Sequence, residues 1–150
     1  MAYFYRTVSS GNGSTKFTLS FWAKKLRNHS NDSAVFGKNA SDSSSDHLFQ
    51  VVFKGSSNGG MLQVVAWNSD GSVILLKRLH NTIEDCSSWF HVVITIDTTL
   101  STAEDRCKIF INGIRQLYFE ASDTSNTNIA SQNDTVYAFS TNGSTSYFNA

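Results

Sequence analysis

The sequence predicts an all-β protein, an antiparallel β-sandwich, and three observations carry that prediction. The segment from Trp89 to Gln116, WFHVVITIDTTLSTAEDRCKIFINGIRQ, reads as consecutive antiparallel strands with their turns written in. Phe90, Val92, Ile94 and Ile96 alternate with His91, Val93 and Thr95, the two-residue period of a strand with one face in a core. Cys107, Ile109 and Ile111 then alternate with Lys108, Phe110 and Asn112, and Asn112-Gly113 runs directly into Ile114-Arg115-Gln116-Leu117-Tyr118-Phe119, the signature of a type I′ hairpin. Composition agrees: Phe, Tyr and Trp make 13% of the 150 residues, Pro is absent, and Ser, Thr, Asn and Gly fill the intervals, which suits strands joined by polar loops. The third observation is regular spacing, since short strand-like runs recur along the chain with turn residues between them.

Taken in order, the predicted strands are Tyr3 to Val8, Phe17 to Lys24, Ala34 to Gly37, His47 to Phe53, Met61 to Trp67, Val73 to Arg78, Phe90 to Asp97, Lys108 to Asn112, Ile114 to Phe119 and Val136 to Phe139. Asn68-Ser69-Asp70-Gly71 is a hairpin turn between two of them, with Gly71 free to take positive φ. Arg27 to Ser33, Asn39 to Asp46 and Ser122 to Asp134 are predicted loops, because their composition buries too little apolar area to order itself. A chain of this length is enough for one domain, so residues 1–150 are read as a single unit.

These motifs resemble a known family. The pattern Trp89-Phe90-His91, apolar strand, Asp97, polar loop, apolar strand, Asn112-Gly113 is similar to the laminin G-like branch of the concanavalin A-like lectin/glucanase superfamily. Lys16 to Lys25, KFTLSFWAKK, resembles an early strand of such domains, and Tyr3 to Thr7 the strand before it. The version with Asp97-Thr98-Thr99 and Asp105-Arg106 is most similar to domains of structural proteins in marine bacteriophages and related viruses. The resemblance implies a jelly-roll sandwich in a virion surface protein: a capsid decoration, head fibre or tail appendage subunit. Its partners would be other virion proteins or further copies of itself, and its location the virion surface. A glycan-binding module that attaches to host surface polysaccharide is the alternative. Ser146 to Ala150 looks like the stretch that precedes the family's last strand, without that strand. The resemblance therefore implies a domain short of its final strand or a piece of a longer chain, and an open sheet edge is a template for a strand from another chain.

Charge narrows the partners. Twelve basic and twelve acidic side chains cancel and are scattered, so no electrostatic footprint for nucleic acid or an anionic membrane is present. Lys24-Lys25-Leu26-Arg27, the densest basic run, reads as a solvated strand end. No apolar run approaches the ~20 residues of a membrane-spanning helix, and no signal peptide is visible, so a soluble protein without conventional export is expected. Six Asn-x-Ser/Thr sites, at Asn12, Asn28, Asn31, Asn39, Asn133 and Asn142, are then by-products of the loop composition.

Catalysis is not expected. Glycosidases need two carboxylates flanking the scissile bond, and Glu84, Glu104 and Glu120 have no acidic residue two positions away. Nucleophile elbows, zinc-helix motifs and phosphate loops are likewise missing from the sequence. His91 lies mid-strand on the face opposite the core set, where a ring hydrogen-bonding across the sheet is expected. The hairpin register puts Cys107 opposite Ile96 and far from Cys86, so Cys107 is read as a small core hydrophobe rather than half of a disulfide.

Binding residues are sought in the loops. Asn31, Asp32, Asp42, Asp46, Asn68 and Asp70 offer the oxygens that Ca²⁺ takes in lectin-like domains, yet each is more simply a turn residue, so no cofactor is expected. Trp67, at a strand end beside Asn68 and Asp70, is the candidate platform for stacking a sugar ring, with rim packing as its other reading. Trp22 and Trp89 begin or line core strands and are expected to be structural.

Overall fold

The computed structural model describes residues 4–7, 16–24, 32–39, 47–55, 60–67, 73–80, 83, 87–124 and 135–138. Among them, eleven antiparallel strands form two sheets. The larger contains, in spatial order, β1 (Phe4–Thr7), β11 (Thr135–Ala138), β3 (Ser33–Asn39), β4 (His47–Phe53), β5 (Leu62–Trp67), β6 (Val73–Leu79) and β10 (Phe119–Thr124). The smaller contains β2 (Lys16–Ala23), β7 (Phe90–Asp97), β8 (Cys107–Ile111) and β9 (Ile114–Arg115). One 3-10 turn, Ala103–Asp105, interrupts the connection from β7 to β8. No helix among the described residues is long and apolar enough to cross a membrane.

Alternation decides which side of each strand meets the core. In β7, Phe90, Val92, Ile94 and Ile96 are buried while His91, Val93, Thr95 and Asp97 are half-buried. Register carries the pattern sideways, with Ile94 opposite Leu19 of β2 on one side and Ile109 of β8 on the other. These residues pack against Phe49, Val51 and Phe53 of β4 and Leu62, Val64 and Ala66 of β5 in one continuous cluster. Edge-to-face ring pairs tie the sheets together: Phe17 with Phe49 at 5.3 Å and Phe53 with Phe90 at 5.9 Å. Such pairs add about 1 kcal/mol each beyond the area they bury.

The centre of the large sheet is closed on both faces. Val52, Gln63 and Val65 point away from the small sheet and are nonetheless buried, and Gln63 Oε1 accepts a hydrogen bond from Arg78 Nε at 2.8 Å. The outer face of the small sheet, by contrast, is open along β2, where Lys16, Thr18, Ser20 and Trp22 are all exposed.

Most predicted strands occur with their ends shifted by one or two residues, and His47–Phe53 and Phe90–Asp97 match their predicted bounds. The Asn112-Gly113 hairpin also forms, with both residues at positive φ, 50° and 81°, as a type I′ turn requires. Cys107 lies opposite Ile96 and is a free, buried thiol.

Two expectations need correction. Ile114 to Phe119 is not one strand: β9 ends at Arg115, Gln116–Tyr118 cross the end of the sandwich, and β10 begins at Phe119 paired with β6 in the other sheet. The His80 amide donates to the Tyr118 carbonyl at 3.2 Å where the crossing segment lands. Ser122 to Thr124, expected in a loop, continue β10, because pairing with Lys77, Leu76 and Leu75 satisfies backbone groups that the polar side chains do not. The turn Asn68–Gly71, Cys86 and Ser146 to Ala150 lie outside the described residues.

Candidate glycan-binding face

The outer face of the small sheet is assembled by β2, β7 and β8, whose outward residues line up in rows fixed by register. Trp22 pairs with His91, Ser20 with Val93 and then Phe110, Thr18 with Thr95 and then Lys108, and Lys16 with Asp97. The face therefore passes from aromatic at one end, through an apolar middle, to hydroxylic and charged at the other.

At the aromatic end Trp22 is 63% exposed, a correction to its expected structural role. Its ring stacks on His91 with centroids 4.9 Å apart and planes 23° from parallel. The His91 ring is held from a second side, since its Nε2 lies 2.8 Å from Ser20 Oγ in a hydrogen bond across the two strands. Its backbone is fixed as well: the His91 amide donates to Asn112 Oδ1 and the Asn112 amide donates to the His91 carbonyl, both at 2.8 Å. His91 thus hydrogen-bonds across the sheet as the sequence implies, and in doing so braces an exposed indole. Trp89, likewise 63% exposed and so not the structural residue expected, stands one strand period before His91. Trp22 therefore presents an exposed but braced indole at this end of the face, with the Ser20 hydroxyl on the other side of the shared His91 ring.

The charged end is a shallow groove of about 380 Å³ lined by Lys16, Phe17, Thr18, Thr95, Ile96, Asp97, Leu100, Asp105 and Lys108. Ligand sites commonly start near this size. Its charges are paired: Lys16 Nζ sits 3.0 Å from Asp97, Lys108 Nζ sits 3.3 Å from Asp105, and Arg115 Nη2 donates to Asp105 at 2.9 Å. The Thr99 hydroxyl, with Lys16 behind it, holds the Asp97 carboxyl below its usual range, and Arg115 with Lys108 does the same for Asp105. Both are firmly ionised, which suits hydrogen-bond acceptors and not the proton donor that glycoside cleavage requires.

A second cavity, of about 190 Å³, opens where Gln116–Tyr118 cross between the sheets, lined by Lys77, Glu104, Cys107, Arg115, Gln116, Leu117 and Phe119. Lys77 is buried there, its ammonium 4.6 Å from the centre of the Phe119 ring. Burial pushes the Cys107 thiol up to about 12, against a weaker opposite pull from Lys77.

Of the residues singled out in the sequence, Trp67 is half-buried at the end of β5, opposite Val73 across an irregularity in the ladder. Asn68 and Asp70 lie outside the described residues. Among the Ca²⁺ candidates, Asp32 accepts from the Gly55 amide at 2.9 Å and pairs with Lys54, partners more than twenty residues away that tie it to the end of β4 rather than to its own turn; Asn31, Asp42 and Asp46 lie outside the described residues. Among the described residues, no three His, Cys, Asp or Glu side chains gather as a metal site.

Comparison with known proteins supplies the frame for this face. A laminin G-like family model of the Concanavalin A-like lectin/glucanases superfamily matches residues 3–150. No curated protein sequence matches. Among solved structures, sheep galectin-11 in complex with glycerol superposes with a TM-score of 0.52 at 12% identity, covering 90% of this chain and 87% of its own. At that identity the likeness is one of fold.

Proposed function

Since the chain belongs to the concanavalin A-like lectin/glucanase superfamily, we propose that it is a carbohydrate-binding domain without catalytic activity, which seats a sugar ring on Trp22 at the aromatic end of its small sheet. One observation carries the reading: an indole 63% exposed yet locked by stacking on His91. A free indole costs conformational entropy when a ligand orders it; a braced one does not. Sugars present an apolar C–H face to such a ring and hydroxyls to its neighbours, here Ser20 and Asn112. The galectin-like fold supports the same reading, and the two ionised groove carboxylates speak for holding a glycan rather than cutting it.

The test is a glycan array probed with the intact chain and with Trp22→Ala. Binding to a defined glycan class that disappears in the variant, with the circular dichroism spectrum unchanged, is the expected result. Equal binding by both proteins would move the site elsewhere, with Trp67 the next position to mutate.

A second reading concerns where the domain works. The resemblance of its Asp97-Thr98-Thr99 and Asp105-Arg106 motifs to phage structural proteins supports a place on the virion surface, docked on other virion proteins or on copies of itself. Ile114, Leu117 and Tyr118, each about two-thirds or more exposed in one short segment, supply apolar area for such docking. Light scattering on the purified chain checks it: a multimer that Tyr118→Ser dissociates supports assembly through this segment, and a monomer at all concentrations removes self-docking.

A further inference from the structure

The glycan-binding reading leaves open how much of a glycan the face accommodates, and the sheet register bears on that. Resting on that reading, we infer that the ligand is a neutral oligosaccharide chain lying along β7, from the Trp22–His91 platform to the Lys16–Asp97 groove, rather than a single terminal sugar.

Three observations converge. The first is span. His91 and Asp97 are six residues apart on one strand and point to the same face, a span of about 20 Å at ~3.3 Å per residue. A single sugar ring covers only a fraction of that. The second is continuity. Between the two ends the face carries Ser20, Val93 and Phe110 in one row and Thr18 and Thr95 in the next, all exposed or half-buried. Apolar patches alternate with hydroxyls there, the same alternation that successive sugar rings offer with their C–H faces and edges. The groove then closes the track with a volume of about 380 Å³, walled on one side by Leu100 of the β7–β8 connection. Arg106 fixes that wall by donating from Nε to the Leu100 carbonyl at 2.7 Å and from Nη2 to the Ser101 carbonyl at 2.9 Å.

Charge gives the third observation and selects the class. The groove is lined by two cations, Lys16 and Lys108, and two carboxylates, Asp97 and Asp105, each cation within ion-pair distance of one carboxylate. Arg115 also pairs with Asp105 from beside the groove, so each of these three cations is already held by a carboxylate, and an anionic glycan must compete with those pairs and gains little from its charge. Neutral hydroxyls use the same groups well: each hydroxyl donates to a carboxylate oxygen and accepts from an ammonium. Thr18 and Thr95 add hydroxyls of their own at the row before.

The experiment titrates the full chain, by tryptophan fluorescence and calorimetry, with size-graded ladders of a neutral glucan, a neutral mannan, a neutral galactan and an acidic polyuronate, each from monosaccharide to hexasaccharide. The expected result is that one neutral ladder tightens at least about tenfold with length before levelling off, since every tenfold step needs only about 1.4 kcal/mol of added contact. The double variant Thr95→Leu/Lys108→Met should keep the affinity for the shortest binding sugar and lose the gain with length. Asp97→Asn should reduce that gain in part, and a tenfold rise in salt should leave affinity within about twofold. Binding that is already maximal at the monosaccharide, lost on Trp22→Ala and indifferent to the groove variants, would overturn the extended track while leaving the platform in place. Preference for the polyuronate with steep salt dependence would overturn the neutral class. No binding in any ladder would overturn the track together with the glycan reading on which it rests.

Discussion

Replacing Ile94 by Ala is the most direct test of the sandwich and of its register. Ile94 is fully buried at the middle of β7, flanked by Leu19 and Ile109 in its own sheet and facing the core built from β4 and β5. The substitution removes three carbons. At about 0.8 kcal/mol per buried methylene the transfer loss alone is about 2.4 kcal/mol. Neighbours on three strands cannot all close the space, so the cavity raises the total to about 3–4 kcal/mol. For a domain of this size that corresponds to a fall in Tm of roughly 10 °C. Val93→Ala is the control: one residue along, half-buried on the outer face, it should cost about 1 kcal/mol or less. Urea denaturation followed by far-UV circular dichroism measures both, since Trp22 and Trp89 already face water and report weakly on unfolding. A one-residue slip of β7 would exchange the two values, because every side chain changes face. Equal losses, or a larger loss at Val93, would therefore refute the register on which both the core and the outer face of the small sheet depend.

Other consequences can be checked in the same way. Gly113→Ala should destabilise by about 1 kcal/mol in denaturant titrations, through backbone strain alone, because φ is 81° and the space where a Cβ would sit is empty. Asp97 and Asp105 both have depressed carboxyl pKa values, so their contribution is present above the ordinary value of 3.8 and lost as pH falls through the depressed values. Thermal melts across the acid range should show Asp97→Asn/Asp105→Asn with a shallower loss than the parent. Cys107 has the opposite sense: its raised pKa stabilises the fold fully below the ordinary thiol value of 9.0, and that contribution fades as pH rises towards about 12. Cys107→Val should flatten the alkaline limb, and mass spectrometry should find Cys107 protected from iodoacetamide until denaturant is added.

Much of this fold was legible because alternation and turn chemistry are local. Phe90 to Asp97 and the Asn112-Gly113 hairpin satisfy a two-residue period and a φ requirement that no distant residue needs to supply. The break between β9 and β10 was not legible for the same reason. Ile114 to Phe119 contains no Gly or Pro, and what divides it is a partner strand, β6, some forty residues away. The outer face of the small sheet was partly legible. Trp22 is in phase with Lys16, Thr18 and Ser20 and out of phase with Phe17, Leu19 and Phe21, which marks it as outward-facing. An aromatic residue in a strand invites a core assignment, and that bias hid the phase. The groove was hidden, since the local Asp105–Lys108 pair joins Lys16 and Asp97 only through the register of β2, β7 and β8.

The place of β11 in the large sheet has a consequence for biosynthesis. It sits between β1 and β3, with Val136 opposite Arg6 on one side and Lys38 on the other. When the ribosome has produced the first hundred or so residues, β3 and β4 can pair, but β1 has no neighbour to join and β3 presents a bare edge. The sheet is completed only when residues 135–138 emerge and insert between strands made long before. Completion of this sheet is therefore timed by β11, and chains arrested before it should expose the β3 edge and aggregate more than chains that include it.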